Sequence, residues 1–334
     1  MTTKNGKNAG VALRERLRPF PRLGYSLLPT PVMPLAGLSR RFGVEVWCKR
    51  DDLTGFAFGG NKTRKLDFLI AQALELGCDT LVAIGANQSN FCRMAAAYGT
   101  AVGLDVRLVL GGKDETDPTG NLRLDRILGA SCLHIDSTSW EDWGTEAQTL
   151  EERLEREGRK VFRLPVGGST PTGALGYVDA WAEILDDGKR VGIDFGTVVH
   201  SSSSAGTQAG LMAGTTLTGW EGTILGISAA HPGEVLAEEA LALSRSTLEL
   251  LGEPHAIPGP AEVDDGCVGP GYGIRTRECE EAVRRFAREY GIFLDYVYSG
   301  KAAAALLSFL EEGRFDRGEA VLFIHTGGNV ELLA

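Results

Sequence analysis

Apolar positions along this chain fall into two alternating rhythms. Short continuous runs fit strands covered on both faces, and longer stretches with apolar residues three and four apart fit helices lying against them. Runs at 44–49, 79–84, 106–110, 132–135, 161–164, 197–200, 224–227 and 321–324 predict strands. Helical spacing predicts a helix capped by Asn61, with Leu66, Leu69, Ile70, Ala73 and Leu74 behind it and Gly77 at its end. Further helices are predicted after Asn90, over 121–128, 145–157 and 173–185, from Thr207, and over 233–251, 276–290 and 299–311. Residues 292–297 predict an extended segment, and 254–273, rich in Gly, Pro and Asp, an irregular one. Strand and helix alternate throughout, which predicts parallel sheets with helices on their faces. At 334 residues the chain is long for one core. Two open α/β lobes are therefore expected, with a crevice at the carboxyl ends of their strands.

Composition narrows the partners. Apolar residues make up 43% and charged residues 23%, a soluble globular profile. A net charge of -10 argues against nucleic acid or an anionic membrane as partner, but not against a small anion in a local pocket. The first 22 residues are polar and basic without an apolar run of signal-peptide type, and no later stretch is apolar enough to span a bilayer. Cys48, Cys78, Cys92, Cys132, Cys267 and Cys279 show no paired spacing, so reduced thiols and a cytoplasmic location are expected. The five histidines form no ligand set, and no catalytic metal is expected.

Three strand-to-helix junctions carry candidate chemistry. In Gly59-Gly60-Asn61-Lys62, the glycines allow a tight turn and Lys62 falls in the first turn of a helix. The helix dipole disfavours an ammonium there, and a lysine pushed toward its neutral amine is what Schiff-base chemistry requires. A surface lysine on a capped helix is the plainer alternative. Ser203, Ser204, Ala205, Gly206 and Thr207 follow an apolar strand and open a helix. Free backbone N–H groups at such a junction hold a phosphate without any cation. The loop is neither a Walker loop nor a dinucleotide fingerprint. Ser89, Asn90 and Phe91 open a third helix, where N–H groups suit a carboxylate. Tyr298, Ser299 and Thr326 stand near the ends of apolar segments. A Schiff-base lysine, a phosphate cradle and a carboxylate cradle together match pyridoxal phosphate and an amino acid. A non-catalytic binder of a phosphorylated or carboxylate ligand is the alternative of another class.

The residues also resemble one family along nearly the whole chain. Lys-Arg-Asp-Asp-Leu-Thr-Gly (49–55), Gly-Gly-Asn-Lys-Thr-Arg-Lys-Leu (59–66), Gln-Ser-Asn (88–90), Gly-Ala-Leu-Gly-Tyr (173–177), Gly-Thr-Gln-Ala-Gly (206–210), Gly-Tyr-Gly (271–273) and Phe-Ile-His-Thr-Gly-Gly (323–328) stand in the family's order. They resemble the D-cysteine desulfhydrase and aminocyclopropane-carboxylate deaminase family of pyridoxal-phosphate enzymes. The resemblance implies fold type II, like tryptophan synthase β: a large cofactor domain (1–64 and 171–334), a small mobile domain (65–170), and a homodimer. It implies that Lys62 carries the cofactor, that Asn90 bonds its phenolic oxygen, and that Ser203, Ser204, Ala205, Gly206 and Thr207 hold its phosphate. Ser89 matches the serine near the substrate carboxylate, Tyr272 and Tyr298 the tyrosines near the reacting carbons, and Thr326 a neighbour of the ring.

Ser299 falls where the family places the partner of the pyridine nitrogen. A neutral hydroxyl there favours elimination of a good β-leaving group over opening of a cyclopropane, which needs a protonated ring. The expected reaction is therefore α,β-elimination of a small β-substituted amino acid to pyruvate and ammonia. Phe91 replaces the usual His, Tyr296 a common Pro, and Arg275 a Pro that often follows Gly-Tyr-Gly-Ile. Arg275, if it reaches the pocket, would pair with a sulfonate such as that of L-cysteate.

Overall fold

A computed structural model describes residues 9–334, so the start of the polar amino-terminal segment lies outside the described residues. In chain order the strands are β1 (Val32–Pro34), β2 (Glu45–Lys49), β3 (Thr80–Ala86), β4 (Asp105–Gly111), β5 (Ser131–Ile135), β6 (Val161–Leu164), β7 (Thr197–Ser202), β8 (Thr223–Ser228), β9 (Glu262–Asp264) and β10 (Ala320–Ile324). The helices are α1 (Ala9–Leu17), α2 (Ala36–Phe42), α3 (Asn61–Glu75), α4 (Asn90–Ala101), α5 (Gly120–Ile127), α6 (Trp140–Arg156), α7 (Pro171–Val191), α8 (Gly206–Thr218), α9 (Gly233–Leu250), α10 (Arg277–Tyr290) and α11 (Ser299–Glu311). The larger sheet has the order β1-β2-β10-β7-β8-β9, and the smaller β5-β4-β3-β6. Among the described residues only the β1–β2 pair is antiparallel, and all other neighbours are parallel.

Side-chain alternation explains why each sheet is covered on both faces. Along β10, Val321 and Phe323 pack with α2, α10 and α11, whereas Leu322 and Ile324 pack with α1, α7 and α8. In the smaller sheet Leu81, Ala83, Val106 and Leu108 face α3, α4 and α5, and Val82, Ile84 and Val109 face α6. The expected two-lobed α/β architecture is thus present. The junctions after β3, β7 and β10 all open at the carboxyl ends of their strands, into one crevice.

Several expectations change in detail. Gly60, not Asn61, is the cap of α3, and Asn61 is its first residue. α6 starts five residues earlier than its apolar spacing suggests, because Ser139 Oγ accepts the Asp142 N–H at 3.3 Å. The irregular stretch 254–273 contains β9, which pairs with β8 at the sheet edge. Residues 292–297 form no strand. Asp295 instead accepts the N–H groups of Val297 (2.9 Å), Tyr298 (2.7 Å) and Ser299 (2.8 Å), turning the chain into α11. α1, β1 and α2, of nine, three and seven residues, are too short for periodicity to reveal.

Beneath α3 lies a buried ion network. Arg64 Nε and Nη2 donate to both Asp51 carboxylate oxygens at 2.9 and 2.7 Å, and Nη1 donates to Glu183 Oε2 at 3.1 Å. Tyr177 Oη donates to Asp51 at 2.6 Å, and Lys49 bridges Glu183 and Asp187. Burial alone would raise the Asp51 carboxyl, but the Arg64 guanidinium outweighs it and holds the group below its ordinary range. Removing one member leaves the others charged without partners, which costs about 3–5 kcal/mol in such sites. Arg64→Met is therefore expected to lower unfolding free energy by about that amount in denaturant titration. Disrupting the solvent-facing Arg14–Asp186 pair should cost about 1 kcal/mol or less, and equal losses at the two sites would refute the distinction.

Candidate active site

The turn before Lys62 is built by close approach of two glycine pairs. Gly59 and Gly60 have φ of +69° and +122°. A Cβ on Gly59 would lie 2.3 Å from the Asp52 carbonyl oxygen, and one on Gly327 would lie 2.6 Å from Gly60 Cα. The Asn61 N–H donates to the Thr326 carbonyl at 2.9 Å, and Asn61 Nδ2 donates to Thr207 Oγ1 at 3.0 Å. These contacts join the head of α3 to the loop after β10 and to the head of α8. Lys62, in the first turn as expected, lines the cavity at this junction. Desolvation pushes its ammonium down to about 8, with Asp295 opposing the shift.

Facing it, the loop after β7 runs through Ser203 and Ser204 to Ala205, whose φ of +60° turns the chain into α8. Ser203, Ser204, Ala205, Gly206 and Thr207 all line the cavity. Ser201 and Ser202 also line it, and their hydroxyls are buried without a protein partner. A lysine amine also stands at this cradle. Lys65 Nζ donates to the Gly167 carbonyl at 3.2 Å, and a Cβ on Gly206 would fall 2.7 Å from that same nitrogen. Burial, and then Lys62, push the Lys65 ammonium well below its ordinary range. Beneath the cradle, burial lowers His200 to about 4, leaving a neutral imidazole.

The third wall is the head of α4. Ser89 caps the helix, its Oγ accepting the Cys92 N–H at 3.1 Å, and Asn90 and Phe91 follow in the first turn. All three line the cavity. Arg93 Nη1 (2.9 Å) and Asn121 Nδ2 (3.1 Å) both donate to Asn90 Oδ1. Their hold on the oxygen leaves the Asn90 amide nitrogen as the free donor. Phe91 is buried, and its ring would lie 2.9 Å from a Cβ on Gly168.

Tyr272 and Tyr298 complete the lining with Thr326, their hydroxyls 2.5 Å apart. Burial raises both phenols, Tyr272 to about 12, so both are neutral donors. Ser299 is fully buried and stands behind this lining. Its hydroxyl donates to Asp295 Oδ1 at 2.5 Å. Arg275 does not reach the cavity: it pairs with Glu331 at 3.5 Å, lies 4.1 Å over the Tyr296 ring, and is half exposed. Sequence reasoning also missed Lys65, Asp295 and the indoles of Trp140 and Trp143, which line the cavity on the smaller-sheet side. Only Lys65 carried a signal, since three residues after Lys62 is the same helix face.

Comparison with known proteins agrees with this geometry. A family model described as "Pyridoxal-phosphate dependent enzyme" matches residues 25–327. The chain belongs to that family. It is 37% identical over 333 residues to D-cysteine desulfhydrase of Serratia proteamaculans, covering 96% of this chain and 98% of that one. It is 36% identical over 312 residues to a Pyrococcus furiosus protein provisionally named 1-aminocyclopropane-1-carboxylate deaminase, covering 93% of each. A solved structure described as an ACC deaminase homologue superposes with a TM-score of 0.90 at 36% identity, over 96% of both chains. Threonine deaminase isoform 2 of Solanum lycopersicum shares the fold, with a TM-score of 0.69 at 18% identity over 97% of this chain and 85% of that one.

The residues present fit the family's cofactor, pyridoxal 5'-phosphate. Unpartnered buried hydroxyls, a helix amino terminus and the Lys65 amine meet where a phosphate would lie, with the Lys62 amine in the same cavity. A charge-assisted contact is worth about 1.5–3 kcal/mol, or about 10–100-fold in affinity. Lys65→Met should weaken cofactor binding by that factor while saturating cofactor still gives the covalent absorbance. Unchanged affinity would show that Lys65 is not the phosphate partner.

The shift at Lys62 sets a second expectation. Only neutral amine attacks an aldehyde, and a group titrating near 8 is increasingly neutral as pH rises to that value. Attachment of cofactor to the cofactor-free protein should therefore quicken about tenfold per pH unit below 8 and level off above it, as followed by stopped-flow absorbance. Continued acceleration up to the ordinary lysine value of 10.5 would refute desolvation as the cause.

Proposed function

We propose that this protein is a lyase that eliminates the β-substituent of a small amino acid, with D-cysteine as the leading substrate. The reaction would convert D-cysteine and water to pyruvate, ammonia and hydrogen sulfide. One feature carries the reading: Ser299, a neutral hydroxyl and not a carboxylate, is the residue that the family resemblance pairs with the pyridine nitrogen. Relatives named D-cysteine desulfhydrase support it. When bound, the cofactor supplies the electron withdrawal that makes a substrate α-proton removable. The chain's own residues would do the rest. Ser89, Asn90 and Phe91 offer N–H groups and a hydroxyl to the substrate carboxylate. Asn90 Nδ2 would donate to the cofactor's phenolic oxygen, and Ser203 to Thr207 with Lys65 would hold its phosphate. Lys62, whose ammonium burial pushes down to about 8, would hold the α-proton at Nζ. The neutral Tyr272–Tyr298 pair gives the departing group a proton. Among the described residues, no cation other than Lys62 and Lys65 lines the cavity, which counts against cysteate.

A second reading rests on Asp295. Its buried carboxylate lies one hydrogen bond behind Ser299 and favours positive charge nearby, as ring opening of 1-aminocyclopropane-1-carboxylate requires. Steady-state assays of D-cysteine, L-cysteine, L-cysteate, D-serine and the cyclopropane acid separate the two. Pyruvate release should be fastest from D-cysteine and should fall by about 10²–10⁴-fold in Lys62→Ala. Release of 2-oxobutanoate from the cyclopropane acid at a comparable rate would transfer the assignment to the deaminases.

A further inference from the structure

Trp140 stands in the lobe built on the smaller sheet, yet its ring meets residues of the other lobe. It is the first residue of α6, fixed by a tight serine turn. The Ser139 N–H donates to Ser137 Oγ at 3.1 Å, and Trp143 Nε1 donates to the Ser137 carbonyl at 2.8 Å. The Trp140 indole stacks on Trp143 at 6.3 Å and 25°. Trp143 in turn lies so close to β4 that a Cβ on Gly111 would fall 2.0 Å from it. From this rigid base Trp140 crosses the crevice. It meets His231, in the loop after β8, edge-on at 4.6 Å and 87°. It meets Tyr272 edge-on at 6.0 Å and 88°. His231 is anchored as well, since Ser228 Oγ accepts its N–H at 3.1 Å and donates to its carbonyl at 2.6 Å.

Trp140, Trp143, Tyr272 and Tyr298 line the same cavity as Lys62, whereas His231 stands outside the lining. Trp140 is thus docked against the larger lobe from two sides while its ring forms part of the cavity wall. Its contact with Tyr272 is also a contact with the phenol pair. An apolar wall held on both lobes excludes bulk effectively: one additional methylene in a closed apolar pocket shifts selectivity by about 10–200-fold.

We propose that Trp140 is a specificity-determining gate, closing the cavity by docking on His231 and Tyr272 and restricting the β-substituent to about the size of a thiol or hydroxyl. This rests on the reading of the cavity as an amino-acid site. The gate does not require that elimination follow.

The test uses cofactor-loaded protein titrated with alanine, norvaline and phenylalanine of both hands, with binding followed by cofactor absorbance. In the wild type, alanine should bind at least about tenfold more tightly than phenylalanine. Trp140→Ala should bring the two to within about threefold, mainly through tighter binding of phenylalanine. His231→Ala, which removes a docking partner without touching the lining, should narrow the ratio in the same direction but less. Equal affinities in the wild type overturn the proposal, as does an unchanged ratio in the variants. If Trp140→Ala does not fold, His231→Ala decides, and an unchanged ratio there overturns it. Alanine binding without pyruvate release from any β-substituted amino acid removes the lyase reading and leaves the gate standing. Absence of a response to every amino acid overturns both.

Discussion

The position of Lys62 depends on the Asp51–Arg64 pair. Asp51 lies in the turn after β2 of the larger sheet, and Arg64 lies two residues beyond Lys62 on α3. The Asp51 carbonyl also accepts the Gly60 N–H at 3.1 Å, so one residue grips both the glycine turn and the helix it feeds. Glu183 draws the same guanidinium toward α7, and Lys49 closes the network from β2. Desolvated charges are tolerable only while every partner is in place. Small displacements of α3 would break several charge-assisted bonds together. The first turn of α3 is therefore held from below by charge and from above by the glycine pairs.

That fixed turn gathers the other walls. Once Gly60 and Gly327 pass at van der Waals contact, the loop after β10 must run beside Lys62, carrying Thr326 into the cavity. Asn61 reaches Thr207 and thereby sets the head of α8, while Arg93 and Asn121 orient the Asn90 amide from behind. Helix amino termini then point at one volume from three directions. An anionic group bound there meets oriented N–H dipoles that need no rearrangement.

Much of this was readable from residue order because it depends on local rules. Alternation of apolar runs and helical spacing marked both lobes, and three strand-to-helix loops marked the walls. What escaped depends on contacts between distant segments. Trp140 looks like one more residue before a charged surface helix, and nothing local says that its ring crosses the crevice to His231 and Tyr272. Asp295 looked like part of an extended run, although three N–H groups bend the chain around its carboxylate. Arg275 read as a possible reader of a sulfonate, and its pairing with Glu331 and Tyr296 draws it away. Ser299 was assigned to the ring by resemblance alone, and residue order gave no sign that its hydroxyl is tied to a buried carboxylate, Asp295.

The spacing of Lys62 and Lys65 ties the fold to the chemistry. Three residues apart on one helix face, their amines share a desolvated cavity, and Lys62 itself contributes to pushing Lys65 toward neutrality. Two cations so placed resist protonation together. A phosphate beside Lys65 reverses its side of that balance, since a dianion favours the ammonium that burial opposes. Lys62, proposed here as the covalent attachment point, is pushed toward its neutral amine, and the Asp295 carboxylate limits how far its value falls. On the proposed reading, the same low-polarity setting gives the two amines opposite roles: one kept nucleophilic, the other charged once a phosphate arrives. Placing both on one rigid turn, over a network that cannot shift in part, keeps those roles from being exchanged.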